Sequence, residues 1–349
     1  MRATAFVQPA RRSFPTWVRY ASYVPLFGIG VPLVKLLEAA GQWPDASGNA
    51  IRRGISDFRD YKPAASDVIV CSGFKSGTTW MLQMALQIAF RGEAEFDNLH
   101  SAVAWPDAPG LLRRRIVPLA DHSPRQCSPT GLRIIKTHHL PSRVPYTPAA
   151  RYIALVRDPK DVIVSGYHFL RSMAYGPLMP SVERWVEAYL SGRIPTGSWA
   201  EHAAGWWRMR EQPNVLFMTY ERMRRDPNAA IAQVAEFIGV ALTDGEFAAV
   251  AHKASFAFMK QFQEKFEPGR VVPWGTEGYM LRRGRTGGSG ELLSPDIQAR
   301  IDTRCRAELR HLGSDFPFDV EFGHGVDSEV APARSPEGLC ASSHVLRRR

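Results

Sequence analysis

The sequence predicts a single α/β domain with a central, mostly parallel sheet flanked by helices, and three observations predict it. Short apolar runs at 67–71, 132–136, 152–156 and 215–218 alternate with longer helical patterns. Alternation of this kind needs crossover connections, which build parallel sheets with helices on both faces. Helix-start signals recur at Asp158-Pro159, Asp226-Pro227 and Ser294-Pro295, each an N-cap acceptor followed by proline at the first helical position. The third observation is a glycine-containing turn, Gly73-Phe74-Lys75-Ser76-Gly77-Thr78-Thr79-Trp80, which joins the first apolar run to a helical pattern beginning at Met81.

Taken in order, residues 1–60 read as an irregular leader that is both basic and apolar. Arg2, Arg11, Arg12, Arg19 and Lys35 all precede the first acid, Glu38. The apolar stretch 20–34 is interrupted by Pro25, Gly28, Gly30 and Pro32. It falls short of the roughly 20 uninterrupted apolar residues of a membrane span. It reads instead as an interfacial or core-packed segment, with residues 11–37 as a peripheral membrane contact. No small-residue cleavage site follows it cleanly, which argues against a secretory signal.

The turn at 73–80 comes next, and it is suited to a phosphate. Backbone N–H groups converge at a helix N-terminus, the helix dipole is positive there, and Thr78 and Thr79 add hydroxyl donors. It departs from the usual nucleotide-triphosphate loop, where lysine follows the second glycine; here Lys75 precedes Gly77 by two residues. That argues for a phosphorylated donor other than ATP. In parallel sheets ligands bind beyond the carboxyl ends of the strands. The loop, Lys136-Thr137-His138 and Arg157 all fall at those ends.

Arg157 is a good phosphate clamp, since guanidinium pairs bidentately with phosphate oxygens. Ser165 lies eight residues further on, within the helix that starts at Pro159. His138 and His139 are candidates for a general base. Residues 267–290, rich in Gly and Arg, read as a long loop whose Arg282-Arg283-Gly284-Arg285 could fold over an anion. From 324 to 349 the chain reads as a disordered tail, leaving 61–323 as the folded domain.

Bulk properties narrow the classes. A hydrophobic share of 45% with 22% charged residues fits an ordinary globular chain. The net charge of +10 points to an anionic ligand or an acidic membrane surface; a nucleic-acid partner has no motif behind it. Four cysteines without C-x-x-C spacing indicate a reduced, cytoplasmic protein with no zinc site.

These residues together resemble the cytosolic sulfotransferase family, which uses 3′-phosphoadenosine 5′-phosphosulfate (PAPS) as sulfuryl donor. The family's P-K-S-G-T-T-W loop appears as residues 74–80, with Phe74 in place of proline. Its K-T-H-L-P segment appears as Lys136-Thr137-His138-His139-Leu140-Pro141, with one inserted histidine. Its R-[ND]-P-K-D-V-x-V-S-x-Y-H-F segment runs from Arg157 to Phe169, and its F-[ML]-R-[KR]-G segment appears as Met280-Leu281-Arg282-Arg283-Gly284. Gly197-Ser198-Trp199, His202, Trp206-Trp207 and Tyr220-Glu221 recur between them, so the match spans roughly 66–310.

The resemblance implies a set of roles. Lys75, Ser76, Gly77, Thr78 and Thr79 would cradle the 5′-phosphosulfate, and Trp80, Tyr220, Ser255 and Phe256 would flank the adenosine. Arg157, Ser165, Arg282, Arg283 and Gly284 would hold the 3′-phosphate. His138 would take the acceptor proton, Lys75 would neutralise the leaving group, Lys136 would stabilise the sulfuryl oxygens, and Ser165 would restrain Lys75 until acceptor binds. The product is 3′,5′-adenosine bisphosphate (PAP), and no metal is required. His138 keeps the spacing from Lys136 and is favoured as base, while His139 keeps the spacing to Leu140-Pro141. Ala254 stands where the family has threonine, which removes one hydrogen bond to the donor, about 1 kcal/mol.

The acceptor is expected to be a small hydroxyl compound. Residues 90–130 and 172–195, which match the family least, should cover its pocket. Trp105, Phe96 and the apolar leader suggest a phenol, sterol, lipid or polyketide alcohol. The family's C-terminal dimer segment is not recognisable, so the oligomeric state stays open. Two other readings are a donor-binding protein without catalysis and a P-loop kinase. Lys75, Lys136, His138 and Ser165 together argue against the first, and the displaced lysine with Arg282-Arg283 against the second.

Overall fold

In a computed structural model of the chain, the described residues are 16–39, 58–108, 116–192, 194, 196–267 and 280–323. Four parallel strands form one sheet in the order β2-β1-β3-β4, with β1 Asp67–Ser72, β2 Arg133–Thr137, β3 Arg151–Val156 and β4 Val215–Thr219. All four coincide with the apolar runs, to within a residue or two at each end. Their buried, β-branched composition is what a strand covered on both faces needs. The register pairs Cys71 with Thr137 and Ala154, so the carboxyl ends of the central strands share one rim.

The first two helices are α1 Thr16–Pro25 and α2 Val31–Ala39, joined by a π-helical turn at Leu26–Gly30. The leader is therefore helical here, where its prolines and glycines suggested irregular chain. The physical reason is local. Pro32 directly follows a wide π turn, which bonds the Val31 N–H back to the Leu26 carbonyl and carries the helix past both prolines. Among the described residues no helix is long and apolar enough to cross a membrane.

Helix α3, Thr78–Ala89, begins at the glycine turn and buries nearly its whole length, from Met81 to Ala89, against β1 and β2. Helix α4, Pro159–Leu170, follows β3; α5, Val182–Leu190, and α6, Trp199–Arg208, pack on the same side. Helices α7, Pro227–Phe237, and α8, Asp244–Lys253, cover α3, and α9, Pro295–His311, lies against α4 and α6. The three expected caps form as read: Asp158, Asp226 and Ser294 accept from the N–H groups of Lys160, Ala229 and Ile297. One apolar cluster joins α3, α7 and α8 to one face of the sheet, and a second joins α4, α5, α6 and α9 to each other.

The tail from 324, residues 1–15 and 268–279 of the expected long loop lie outside the described residues. Phe96 belongs to the first apolar cluster, edge-on to Phe266 at 6.0 Å, and not to an acceptor pocket. Its position just after α3 makes it a packing residue, which its aromatic character alone could not reveal.

Candidate active site

A cavity of about 740 Å³ opens at the carboxyl rim of the sheet. Part of its wall is the glycine turn. Gly77 holds φ at +94°, and a Cβ there would stand 2.5 Å from the Tyr220 ring. Only glycine lets the turn close onto that ring. Thr78 Oγ1 is 2.6 Å from Ser72 Oγ, which ties the start of α3 to the end of β1. Trp80 stands edge-on to Tyr220 at 5.7 Å and donates its indole N–H to the Ala254 carbonyl at 2.8 Å.

The basic residues expected at an anion site arrive here from the glycine turn, the ends of β2 and β3, and the 280–288 segment. Arg157, at the end of β3, places its guanidinium 4.3 Å over the Tyr220 ring and pairs with Asp161 at 3.1 Å. The buried Asp161 also accepts the N–H groups of Gly287 and Gly288, both at 3.1 Å. It thereby fixes the 280–288 segment to the start of α4. Gly284, at φ +59°, packs its Cα against the Phe256 ring, where a side chain would collide. Arg282 and Arg283 both pair with Glu291, and His168 Nε2 lies 2.9 Å from the same carboxylate.

Lys75 lies at φ +59°, a left-handed conformation that few non-glycine residues adopt and that clusters at functional sites. Its ammonium rests 4.1 Å over the Phe169 ring. Burial, together with the charges of Arg157 and Arg282, pushes its pKa down to about 7. Lys136, at the end of β2, is buried with its ammonium 3.3 Å over the Trp105 ring, and burial likewise pushes it down to about 7. Ser165 lines the same cavity from α4.

His138 Nδ1 is 2.8 Å from the Ser72 carbonyl oxygen. A carbonyl only accepts, so Nδ1 carries the proton and Nε2 keeps a free lone pair. Burial and the neighbouring Lys136 hold the ring's pKa well below the ordinary histidine value, so it is neutral near pH 7. The His138 N–H donates to Asp107 Oδ2 at 2.8 Å. His139 is also at the cavity wall, but its ring packs 6.4 Å from Phe58 and its backbone N–H bonds to Thr137 Oγ1 at 3.1 Å.

The cavity also has an apolar wall, formed by Phe74, Phe169, Met173, Tyr175, Met179 and Trp185. Trp105 and His100, stacked at 5.3 Å, add to the wall near Lys136. Both stretches that match the family least thus contribute here.

Of the expected residues, Lys75, Gly77, Thr78, Thr79, Trp80, Lys136, His138, Arg157, Ser165, Tyr220, Phe256, Arg282, Arg283 and Gly284 meet in this one cavity. Ser76 and Ser255 stand outside its wall. Ser76 is buried and its N–H donates to the Gly73 carbonyl at 3.3 Å; Ser255 caps a short helix by accepting from the Phe258 N–H. Asp107, Asp161, His100 and Glu291 were missed by sequence reasoning. Asp161 lay inside a quoted motif, so its pairing with Arg157 at i, i+4 was the available signal. Among the described residues no group of three or more His, Cys, Asp or Glu side chains is placed to hold a metal ion.

A parallel sheet with a phosphate-type turn, facing cations and a neutral histidine defines an α/β group-transfer enzyme. The family description "Sulfotransferase domain" matches residues 65–313. The chain belongs to the sulfotransferase family. Rabbit sulfotransferase 1C2 is 26% identical over 288 residues, covering 78% of this chain and 92% of the rabbit protein. Rat sulfotransferase 2A6 is 31% identical over 198 residues, covering 56% of this chain and 67% of its own length. In fold, mouse sulfotransferase SULT7A1 complexed with PAP aligns at TM-score 0.55 and 22% identity, over 76% of this chain and 90% of that one. Retinol dehydratase in a complex with retinol and PAP aligns at TM-score 0.58 and 18% identity, over 75% and 86%.

Proposed function

We propose that this sulfotransferase moves a sulfuryl group from PAPS to the hydroxyl of a small, apolar acceptor by in-line displacement, releasing PAP. The observation that carries the reading is His138: a neutral imidazole with its lone pair on Nε2, in one cavity with a cationic turn and an aromatic chamber. Sulfuryl transfer resembles phosphoryl transfer, where positioning and charge stabilisation supply most of the rate. PAPS supplies an activated sulfur and a good leaving phosphate.

The chain's own residues do the rest. His138 takes the acceptor proton at Nε2. Lys75 and Lys136 supply positive charge beside the reacting group, and anions bound there raise their pKa back toward the charged form. Gly77, Thr78 and Thr79, with Ser76 beneath them, cradle the 5′-phosphosulfate, while Trp80, Tyr220 and Phe256, backed by Ser255, flank the adenosine. Arg157, Ser165, Arg282, Arg283 and Gly284 hold the 3′-phosphate, and Ser165 restrains Lys75 before acceptor binds. We read the enzyme as cytoplasmic, on its resemblance to the cytosolic branch.

The test is turnover with sulfur-labelled PAPS against a panel of phenols and alcohols, without added metal. Labelled sulfate ester on an apolar hydroxyl is the expected product. Donor binding with no ester on any acceptor would leave a binding protein instead. Stabilisation by ATP with magnesium, but not by PAP, would favour a kinase.

A further inference from the structure

Trp17, Phe27, Ile29, Leu33 and Leu36 are five of the large apolar side chains left exposed among the described residues, and all lie in the helical leader. Ile29, Leu33 and Leu36 follow at steps of four and three, which makes one helical stripe. Leu26 is buried, and Gly30 lies against the body, with Leu178 3.5 Å from where its Cβ would be. The leader is thus seated on one side and apolar on the other. Contiguous exposed apolar surface of this kind marks an interaction site.

The seat is informative. Leu178 ends the segment 171–178, whose Met173 and Tyr175 belong to the apolar wall of the cavity, as does Met179 just beyond it. The chamber wall and the seat of the leader are the same stretch of chain. Exposed Arg171 opens that stretch, and five basic residues precede the first acid of the leader. The exposed stripe Ile29, Leu33 and Leu36, with exposed Lys35 between the two leucines in sequence and exposed Arg171 on the neighbouring segment, suits the surface of an anionic bilayer, and each basic residue near such a surface contributes about fivefold in partition. No described helix is long and apolar enough to span, so the leader would lie in the surface.

We propose that residues 16–39 dock on an anionic lipid bilayer and bring the apolar wall of the cavity to it, so that the acceptor is an alcohol or phenol dissolved in lipid. The substrate part of this inference rests on the sulfotransferase reading; the docking part does not.

Co-sedimentation with phosphatidylcholine vesicles, with and without phosphatidylglycerol, tests the docking. The full chain is expected to pellet with the anionic vesicles, less with the neutral ones, and less in high salt. The variant Ile29→Glu/Leu33→Glu/Leu36→Glu should stay in the supernatant, with PAP-induced thermal stabilisation unchanged as the control for folding. Pelleting of that variant as well as wild type, or a wild type that ignores both vesicles, overturns docking. So does a wild-type dimer by light scattering that the substitutions convert to monomer without any vesicle binding. In the activity arm, the variant should lose about tenfold on a long-chain alcohol in anionic vesicles and keep its rate on a water-soluble phenol. Equal rates on both acceptors overturn lipid-phase loading, whereas no ester on either acceptor, with vesicle binding intact, overturns the sulfotransferase reading instead.

Discussion

The two nitrogens of His138 are made unequal by one contact, the carbonyl of Ser72 at Nδ1. Replacing a general base costs two to four orders of magnitude. His138→Ala is therefore expected to lower kcat about 100-fold or more, whereas His139→Ala, whose ring packs near Phe58, should stay within about tenfold of wild type. Steady-state rates on one good acceptor decide it, and the reverse pattern would move the base to His139. Glu291 invites a second test. It engages the part-exposed cations Arg282 and Arg283, and His168 Nε2 as well, beside the proposed 3′-phosphate position. Part-exposed ion pairs contribute little, so Glu291→Gln should tighten PAP binding only modestly, by about threefold to tenfold. Calorimetric titration with PAP reads this, and weaker binding would mean that Glu291 orients the arginines rather than competing for them.

At the scale of elements, the turn into α3 is the most constrained piece of the site. Gly77 combines a left-handed φ with contact to Tyr220, so Gly77→Ala is expected to destabilise by about 1–3 kcal/mol and to weaken PAP binding at the same time. Thermal unfolding and titration on the one variant check both; a loss of stability with intact affinity would separate the turn from the donor. Strands and helix starts were legible in the sequence because their signals are local: apolar runs, and an acceptor placed just before proline. Asp107 and Glu291 were not. Asp107 reaches the His138 N–H across 31 positions, and no pattern of neighbours encodes such a meeting. The leader misled for the opposite reason: Pro25 and Pro32 flank a π-helical turn that carries the helix past them. Phe96 and Trp105 look alike in sequence, yet only Trp105 faces the cavity, because depth below the sheet rim is a tertiary property.

For the whole molecule, the concentration of cations at one rim has a thermodynamic signature. Lys75 and Lys136 titrate at about 7 in the fold, but at the ordinary 10.5 in the unfolded chain. Between pH 7 and 9 the unfolded state binds more protons, so the free protein should become more stable as pH rises through this window. From about pH 9 upward the rise is increasingly opposed, because burial raises the thiols of Cys71 and Cys305 above their ordinary 9.0, and the lysine contribution ends as the unfolded lysines titrate near 10.5. Bound PAP should restore the lysine charges and flatten the rise. Unfolding midpoints across this range, with and without PAP, are the measurement, and a flat profile for the free protein would show that the two lysines stay charged in the fold.

The shared cavity has a kinetic meaning as well. The cationic residues, His138 and the apolar side chains line the same cavity, so donor and acceptor can reside together and nothing needs to store the sulfuryl group on the protein. Initial-rate plots at several fixed acceptor concentrations should therefore intersect, as for a ternary complex. Parallel lines would point to a sulfated enzyme intermediate.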